Sequence, residues 1–138
     1  GIDIPHSTGL DGHSDADVLL HALCDALLGA VGAGDIGAHF PDTDPQLKGI
    51  SSLILLEKVT ATCRDKGFEV SNIDTIIVAQ KPKLAPFLTD MKKNISQAMA
   101  IDMGQINIKA TTTEKLGFAG KEEGIAAYAV ALLTKTVN

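Results

Sequence analysis

Apolar residues Val18, Leu19, Leu20, Ala22, Leu23, Ala26, Leu27, Leu28 and Val31 fall on almost every side of a helical projection. That distribution predicts a largely buried helix over residues 15–31. Ser14 can cap its first free N–H groups, while Asp15 and Asp17 oppose the positive end of its dipole. Only Asp17, His21 and Asp25, spaced by four, leave a polar stripe. Residues 32–45 carry glycines, prolines and aspartates in a density that predicts a loop. Leu53, Leu56, Val59 and Cys63 recur at helical spacing, predicting a second helix over 51–66 that stops at Gly67. The β-branched run 73–78 reads as a strand. Pro86 suits the first turn of a third helix carrying Leu88, Met91, Ile95 and Met99, which Asp102 and Gly104 are expected to close. Residues 106–111 alternate like a strand and run into a polar turn at Thr112–Lys115. Residues 124–134 fit either a helix, from their alanines, or a strand with Ile125, Ala127, Ala129, Ala131 and Leu133 on one face.

At 138 residues, 45% hydrophobic and 21% charged, the chain has the size and make-up of one globular domain spanning 1–138. Twelve basic against seventeen acidic residues give a net charge of -5 with no lysine or arginine block. Neither nucleic acid nor an anionic membrane is an expected partner. An anionic ligand would have to be met locally, by metal ions, backbone N–H groups and a few lysines. Cys24 and Cys63 lack CxxC spacing and are expected to be reduced core residues. The chain opens at Gly1 without a methionine, an expected sign of trimming or an internal start, and shows neither a secretion signal nor a membrane-spanning run.

An imidazole in an apolar helix needs a partner, and a lone histidine there is more often a hydrogen-bonded core residue than a ligand. For His21, Asp17 and Asp25 lie one turn to either side, so either can hold one ring nitrogen while the other binds a metal. Locally, Asp11, His13 and His21 also form a candidate three-ligand set, although the Asp-x-His spacing is common by chance. The loop offers Asp35, Asp42 and Asp44 beside glycine-lined backbone, which suits a polyhydroxylated ligand but is equally a turn-rich connector. Asp42-Thr43-Asp44 is not an EF-hand start, because Leu47 stands where glycine is required. Thr111-Thr112-Thr113-Glu114-Lys115 gathers hydroxyls, a carboxylate and an ammonium suited to a diphosphate.

Taken in order, four motifs carry a resemblance: His13-Ser14-Asp15-Ala16-Asp17-Val18 with His21; Asp35-Ile36-Gly37 through Phe40-Pro41-Asp42-Thr43-Asp44-Pro45; Ala79-Gln80-Lys81-Pro82-Lys83; and Lys109 through Phe118. Together they resemble the 2-C-methyl-D-erythritol 2,4-cyclodiphosphate synthase family along essentially the whole chain. The resemblance implies an α+β fold, a mixed β-sheet with helices packed on one side, in a homotrimer with sheets toward the central axis and active sites between subunits. It settles 124–134 as a strand, with Ala127, Ala129 and Ala131 expected to be small because three subunits crowd an axis. The implied reaction converts 4-diphosphocytidyl-2-C-methyl-D-erythritol 2-phosphate to the cyclic diphosphate and releases CMP, in the non-mevalonate isoprenoid pathway of a bacterial cytoplasm or a plastid.

By the same resemblance, His21 is a zinc ligand and Glu114 contacts a magnesium or manganese ion on the diphosphate. This displaces the local reading of Asp11 and His13 as zinc ligands. His13 and Thr112 match positions of transition-state stabilisation, and Ser14 a substrate contact. Asp35, Ile36, Gly37 and Phe40, followed by Pro41, Asp42, Thr43 and Asp44, match the part that holds the methylerythritol end. Ala79, Gln80, Lys81, Pro82, Lys83, Leu84 and Ala85 match the cytidine diphosphate pocket, with Thr111, Thr113, Phe118 and Lys121 also on the substrate side. The family's other two zinc ligands belong to an Asp-x-His strand expected before Gly1. Lys121 replaces a common arginine, and Tyr128 a glutamate of some members beside the trimer cavity. The competing readings are a non-catalytic trimeric nucleotide-binding protein and a metal-dependent nucleoside diphosphate hydrolase.

Overall fold

The computed structural model describes residues 1–3, 17–80, 83–112 and 124–136. Helix α1 spans Val18–Ala30 and buries Leu19, Leu20, Leu23, Cys24, Leu27 and Leu28, matching the all-round apolar pattern. Its N-cap is Asp17, whose Oδ1 accepts the Leu20 N–H at 3.0 Å. The expected start near Asp15, capped by Ser14, lies outside the described residues, and the helix as described begins one residue after Asp17. A carboxylate at the N-cap both satisfies a free donor and opposes the helix dipole.

The segment expected to be a loop contains a four-residue helix, α2 (Ile36–His39), and a 3₁₀ turn at Pro45–Leu47. Two aspartate caps account for the difference. Asp35 Oδ1 accepts the Ala38 N–H at 2.9 Å, and Asp44 Oδ1 accepts the Gln46 N–H at 2.9 Å. Side-chain capping of this kind stabilises single turns that composition alone assigns to loop. The chain reaches α2 through Gly34, held at φ +86, a conformation that favours glycine.

Helix α3 (Ser52–Asp65) is capped by Ser51 and ends before Gly67, which sits at φ +88. Strand β1 (Phe68–Val78) is longer than the apolar run 73–78, because Glu69, Ser71 and Asn72 interrupt the β-branched signal without ending the pairing. Helix α4 (Leu88–Met99) buries Met91, Ile95 and Met99, and Pro86 falls in a 3₁₀ turn just before it. It closes at left-handed Ala100, φ 53, earlier than the expected Asp102 and Gly104, which belong to a separate 3₁₀ turn at Met103–Gln105. Arg64 of α3 helps by donating from Nη2 to the Met99 carbonyl at 2.7 Å, a favourable contact at a helix C-terminus.

Strand β2 (Ile106–Thr111) runs parallel to β1, with Ile73 opposite Ile106 and Val78 opposite Thr111. Strand β3 (Ala126–Lys135) is antiparallel to β1, so the mixed sheet has the order β2-β1-β3. The fold is therefore α+β, with the long helices α1, α3 and α4 of the described residues against one face. Val70, Ile73, Thr75 and Ile77 of β1 meet that helical layer, while Tyr128, Val130 and Leu132 of β3 point away and are 64%, 71% and 59% exposed.

The alternation corrects the expected role of the small residues. Ala127, Ala129 and Ala131 lie on the helical face and pack against the core, where α1 rests on β3. Their size admits the helix backbone close to the sheet rather than serving an axis on the other side. Cys24 and Cys63 are unpaired and buried. Burial, then the nearby Asp25 and Asp17 charges, push the Cys24 thiol up from 9.0 to about 12, and burial raises Cys63.

Because the thiol form is favoured in the fold, Cys24 contributes stability that is complete below the ordinary thiol value and lost as pH rises toward 12. At pH 8, Cys24 should resist iodoacetamide in folded protein and react fully in denaturant, as read by mass spectrometry. Rapid native-state labelling would contradict the burial.

Candidate active site

His21 projects from the first turn of α1 into a cavity of about 180 Å³. Ile36 and Gly37 of α2, Phe40 and Asp42 after it, and Leu47, Ile50 and Leu55 form the other walls. Residues predicted from two separate motifs thus converge on one space. Phe40 also packs against the core, which fixes one side of the cavity.

The two carboxylates of the α1 stripe do not have the role expected of them. Asp17 caps its own helix, and Asp25 Oδ1 accepts the Ile36 N–H at 2.7 Å, tying α1 to the start of α2. The described partner of the His21 ring is instead Ser52, whose Oγ lies 3.2 Å from Nε2. Ser52 is the first residue of α3 and has no exposed surface. Nothing in the sequence pairs positions 21 and 52; the only signal is a serine doublet at a helix start, where the first serine suffices as the cap.

Of the loop residues, Asp42 faces the cavity, while Asp35 and Asp44 each spend one carboxylate oxygen on a helical turn. Pro41 accepts the Asp44 N–H at 3.1 Å, which places Thr43 within that turn. The cavity wall is therefore built by short-range backbone capping, on a segment tethered to α1 through Asp25.

A second group assembles where parallel strands β1 and β2 end side by side. The Ala79 N–H donates to the Thr111 carbonyl at 3.0 Å, which brings Ala79 and Gln80 beside Thr111 and Thr112. Such carboxyl ends of parallel strands are favoured ligand sites in sheets with crossover connections. Leu84 is buried behind this edge, Lys83 is exposed, and Ala85 begins the 3₁₀ turn leading to α4. None of these residues lines the His21 cavity.

His13, Ser14, Lys81, Pro82, Thr113, Glu114, Phe118 and Lys121 lie outside the described residues. Among the described residues, no group of three histidine, cysteine, aspartate or glutamate side chains is gathered to hold an ion. His21 nevertheless fits as one metal ligand, since its ring opens on the cavity and one nitrogen is held by a buried neutral group.

Comparison with known proteins places these features in a family. A family model described as the YgbB family matches residues 1–134. A 2-C-methyl-D-erythritol 2,4-cyclodiphosphate synthase of Syntrophotalea carbinolica is 59% identical over 138 residues, covering 100% of this chain and 84% of that protein. The synthase of Syntrophobacter fumaroxidans is 61% identical over 133 residues, 96% of this chain and 84% of that protein. Among solved structures, the bifunctional IspDF from Campylobacter jejuni superposes with a TM-score of 0.94 at 47% identity, covering 100% of this chain and 37% of that one. The Plasmodium falciparum IspF CDP complex gives 0.80 at 35% identity, covering 91% and 76%.

The Asp25 tether yields a local test. Asp25→Ala should speed hydrogen exchange at the Ile36 amide by several-fold to tenfold, since an exposed hydrogen bond of this kind contributes on the order of 1 kcal/mol. Exchange at the β1 amides should be unchanged. An unaltered Ile36 rate would remove the tether from the description of the cavity.

Proposed function

This chain belongs to the YgbB family, and on that footing we propose that residues 1–138 form a synthase domain. It converts 4-diphosphocytidyl-2-C-methyl-D-erythritol 2-phosphate to 2-C-methyl-D-erythritol 2,4-cyclodiphosphate, releasing CMP. The observation that carries this reading is the convergence of His21 with Ile36, Gly37, Phe40 and Asp42 on one cavity. A reactant folded against such a wall presents its own 2-phosphate to its own diphosphate, which makes the phosphoryl transfer intramolecular.

In the reaction a 2-phosphate oxygen forms a bond to the β-phosphorus as the bond from that phosphorus to the bridging oxygen breaks. CMP departs with the bridging oxygen. The protein must hold attacking and leaving oxygens in line and offset the charge on the equatorial oxygens. Asp42 can accept hydrogen bonds from the methylerythritol hydroxyls, and Phe40, Leu47 and Ile50 offer apolar surface to its carbon skeleton. Ala79 through Ala85, with Thr111 to Thr113, are assigned to the cytidine diphosphate end, and a relative solved as a CDP complex supports such a ligand. Thr112 and His13 are assigned to stabilising the transition state, and Ser14 to substrate contact. Lys121 and Phe118 belong with the substrate.

His21 would hold zinc or another divalent ion and Glu114 a magnesium or manganese ion. Bound there, such ions supply positive charge opposite the phosphate oxygens. The homotrimer is likewise part of this reading. Its support is the row Tyr128, Val130 and Leu132, an apolar stripe on the helix-free face of the sheet. Large exposed apolar patches of this kind mark interaction surfaces. No described helix is long and apolar enough to cross a membrane; the compartment proposed for the reaction, a bacterial cytoplasm or a plastid, follows from its place in the non-mevalonate pathway.

His21→Ala in the full-length protein should lower bound zinc and cut CMP release by at least 10³-fold, while circular dichroism shows a folded chain. Undiminished zinc by elemental analysis would remove His21 from the metal site. CMP formed without cyclic product, followed by ³¹P NMR, would indicate hydrolysis instead. Substrate bound but never turned over would indicate a binding protein. Val130→Asp should convert the trimer to a monomer by light scattering, and an intact trimer would displace that sheet face as the interface.

A further inference from the structure

We propose that Ser52 is a positioning residue for the metal-binding imidazole: its buried hydroxyl accepts the Nε2 proton of His21 and fixes the ring in one orientation and one neutral tautomer. The inference rests on the reading of His21 as a metal ligand. It adds a residue, a ring atom and a protonation pattern to that reading.

The geometry supports it in three ways. Oγ and Nε2 are 3.2 Å apart, within hydrogen-bonding distance, and Ser52 has no exposed surface, so water cannot readily replace the hydroxyl if it is removed. Ser52 occupies the first position of α3, directly after Ser51, whose side chain accepts the Leu53 N–H at 3.2 Å. The hydroxyl is thereby fixed by a capped helix packed on α1, a more rigid support than a loop. The carboxylates of the same α1 face have other described work, Asp17 on Leu20 and Asp25 on Ile36.

The choice of a hydroxyl has a chemical consequence. An imidazole binds a metal through one lone pair and steadies itself by donating the proton on its other nitrogen. A carboxylate acceptor would add negative charge beside the metal, whereas serine orients the ring without changing the charge of the site.

Two measurements test this separately. In metal-free, ¹⁵N-histidine-labelled full-length protein, two-bond proton–nitrogen correlations should show His21 as the Nε2–H tautomer, its signals identified by their loss in His21→Gln. Observation of the Nδ1–H tautomer would overturn the proposal, and this measurement needs no Ser52 variant to fold. By chelator competition, Ser52→Ala should weaken zinc binding 10- to 100-fold, the range for loss of such a supporting partner, and Ser52→Thr, which keeps the hydroxyl, should restore it to within a few-fold. A folded Ser52→Ala protein with unchanged zinc affinity and tautomer would also sink the idea. Failure of the ligand reading itself shows differently, as undiminished zinc in His21→Ala with the wild-type tautomer still on Nε2.

Discussion

The burial of α1 is the constraint from which the rest of the site follows. Leu20, Leu23, Leu27 and Leu28 are essentially without exposed surface, and each buried leucine is worth roughly 1.5–3 kcal/mol. Such a helix has little freedom to rotate, because any turn about its axis exposes leucine on one side and buries Asp17, His21 or Asp25 on the other. The seat requires a sheet that lets a helix approach closely, and Ala127, Ala129 and Ala131 of β3 supply one. His21 is therefore aimed by forces that have nothing to do with catalysis. Its direction is set by leucines below it and alanines beneath them.

The polar groups along α1 then divide the remaining tasks. Asp17 starts the helix, Asp25 fastens the next segment, and His21 alone faces the cavity with a partner from α3. A carboxylate on a backbone N–H is a strong contact, and here it couples the wall around Ile36 and Gly37 to the helix bearing the imidazole. Shifting α1 would move both sides of the cavity together. The cavity thus retains its shape as a consequence of packing and capping, even though most of its wall follows the short turns between α1 and α3.

How much of this the sequence disclosed depends on the range of the interaction. Helical periodicity marked α1, α3 and α4 because 3.6-residue patterning is local, and β2 was legible over its full length for the same reason. The first half of β1 was hidden, since Glu69 and Asn72 gain their strand character from pairing with β3 across an irregularity at Ser71. Helix α2 was missed because one aspartate side chain, not a run of helix formers, stabilises it. The alanines of β3 were assigned to the wrong face of the argument, as a small residue says that something approaches closely without saying what. His21 was singled out by its solitude among leucines. Ser52 was invisible, because a contact between residues 31 positions apart leaves no trace in either neighbourhood.

The charge of the cavity determines which end of the substrate it can take. Among the described residues that line it, Asp42 is a carboxylate, and the chain as a whole carries -5. Two like unit charges 4 Å apart repel by about 4 kcal/mol at an effective dielectric of 20, so an uncompensated phosphate beside Asp42 would be unfavourable. Hydroxyls have the opposite preference, since they donate to a carboxylate, and a methyl-bearing carbon skeleton matches Phe40, Leu47 and Ile50. On the proposed function the alcohol end lies against Asp42, and the phosphates lie toward the His21 ring, where a metal would be held, and the lysine- and threonine-bearing segments around Lys83 and Thr112. A substrate sorted in this way must bend between the two environments. On the proposed function, that bend is the conformation in which a 2-phosphate can reach its own diphosphate, so such a distribution of charge would favour ring closure over attack by water.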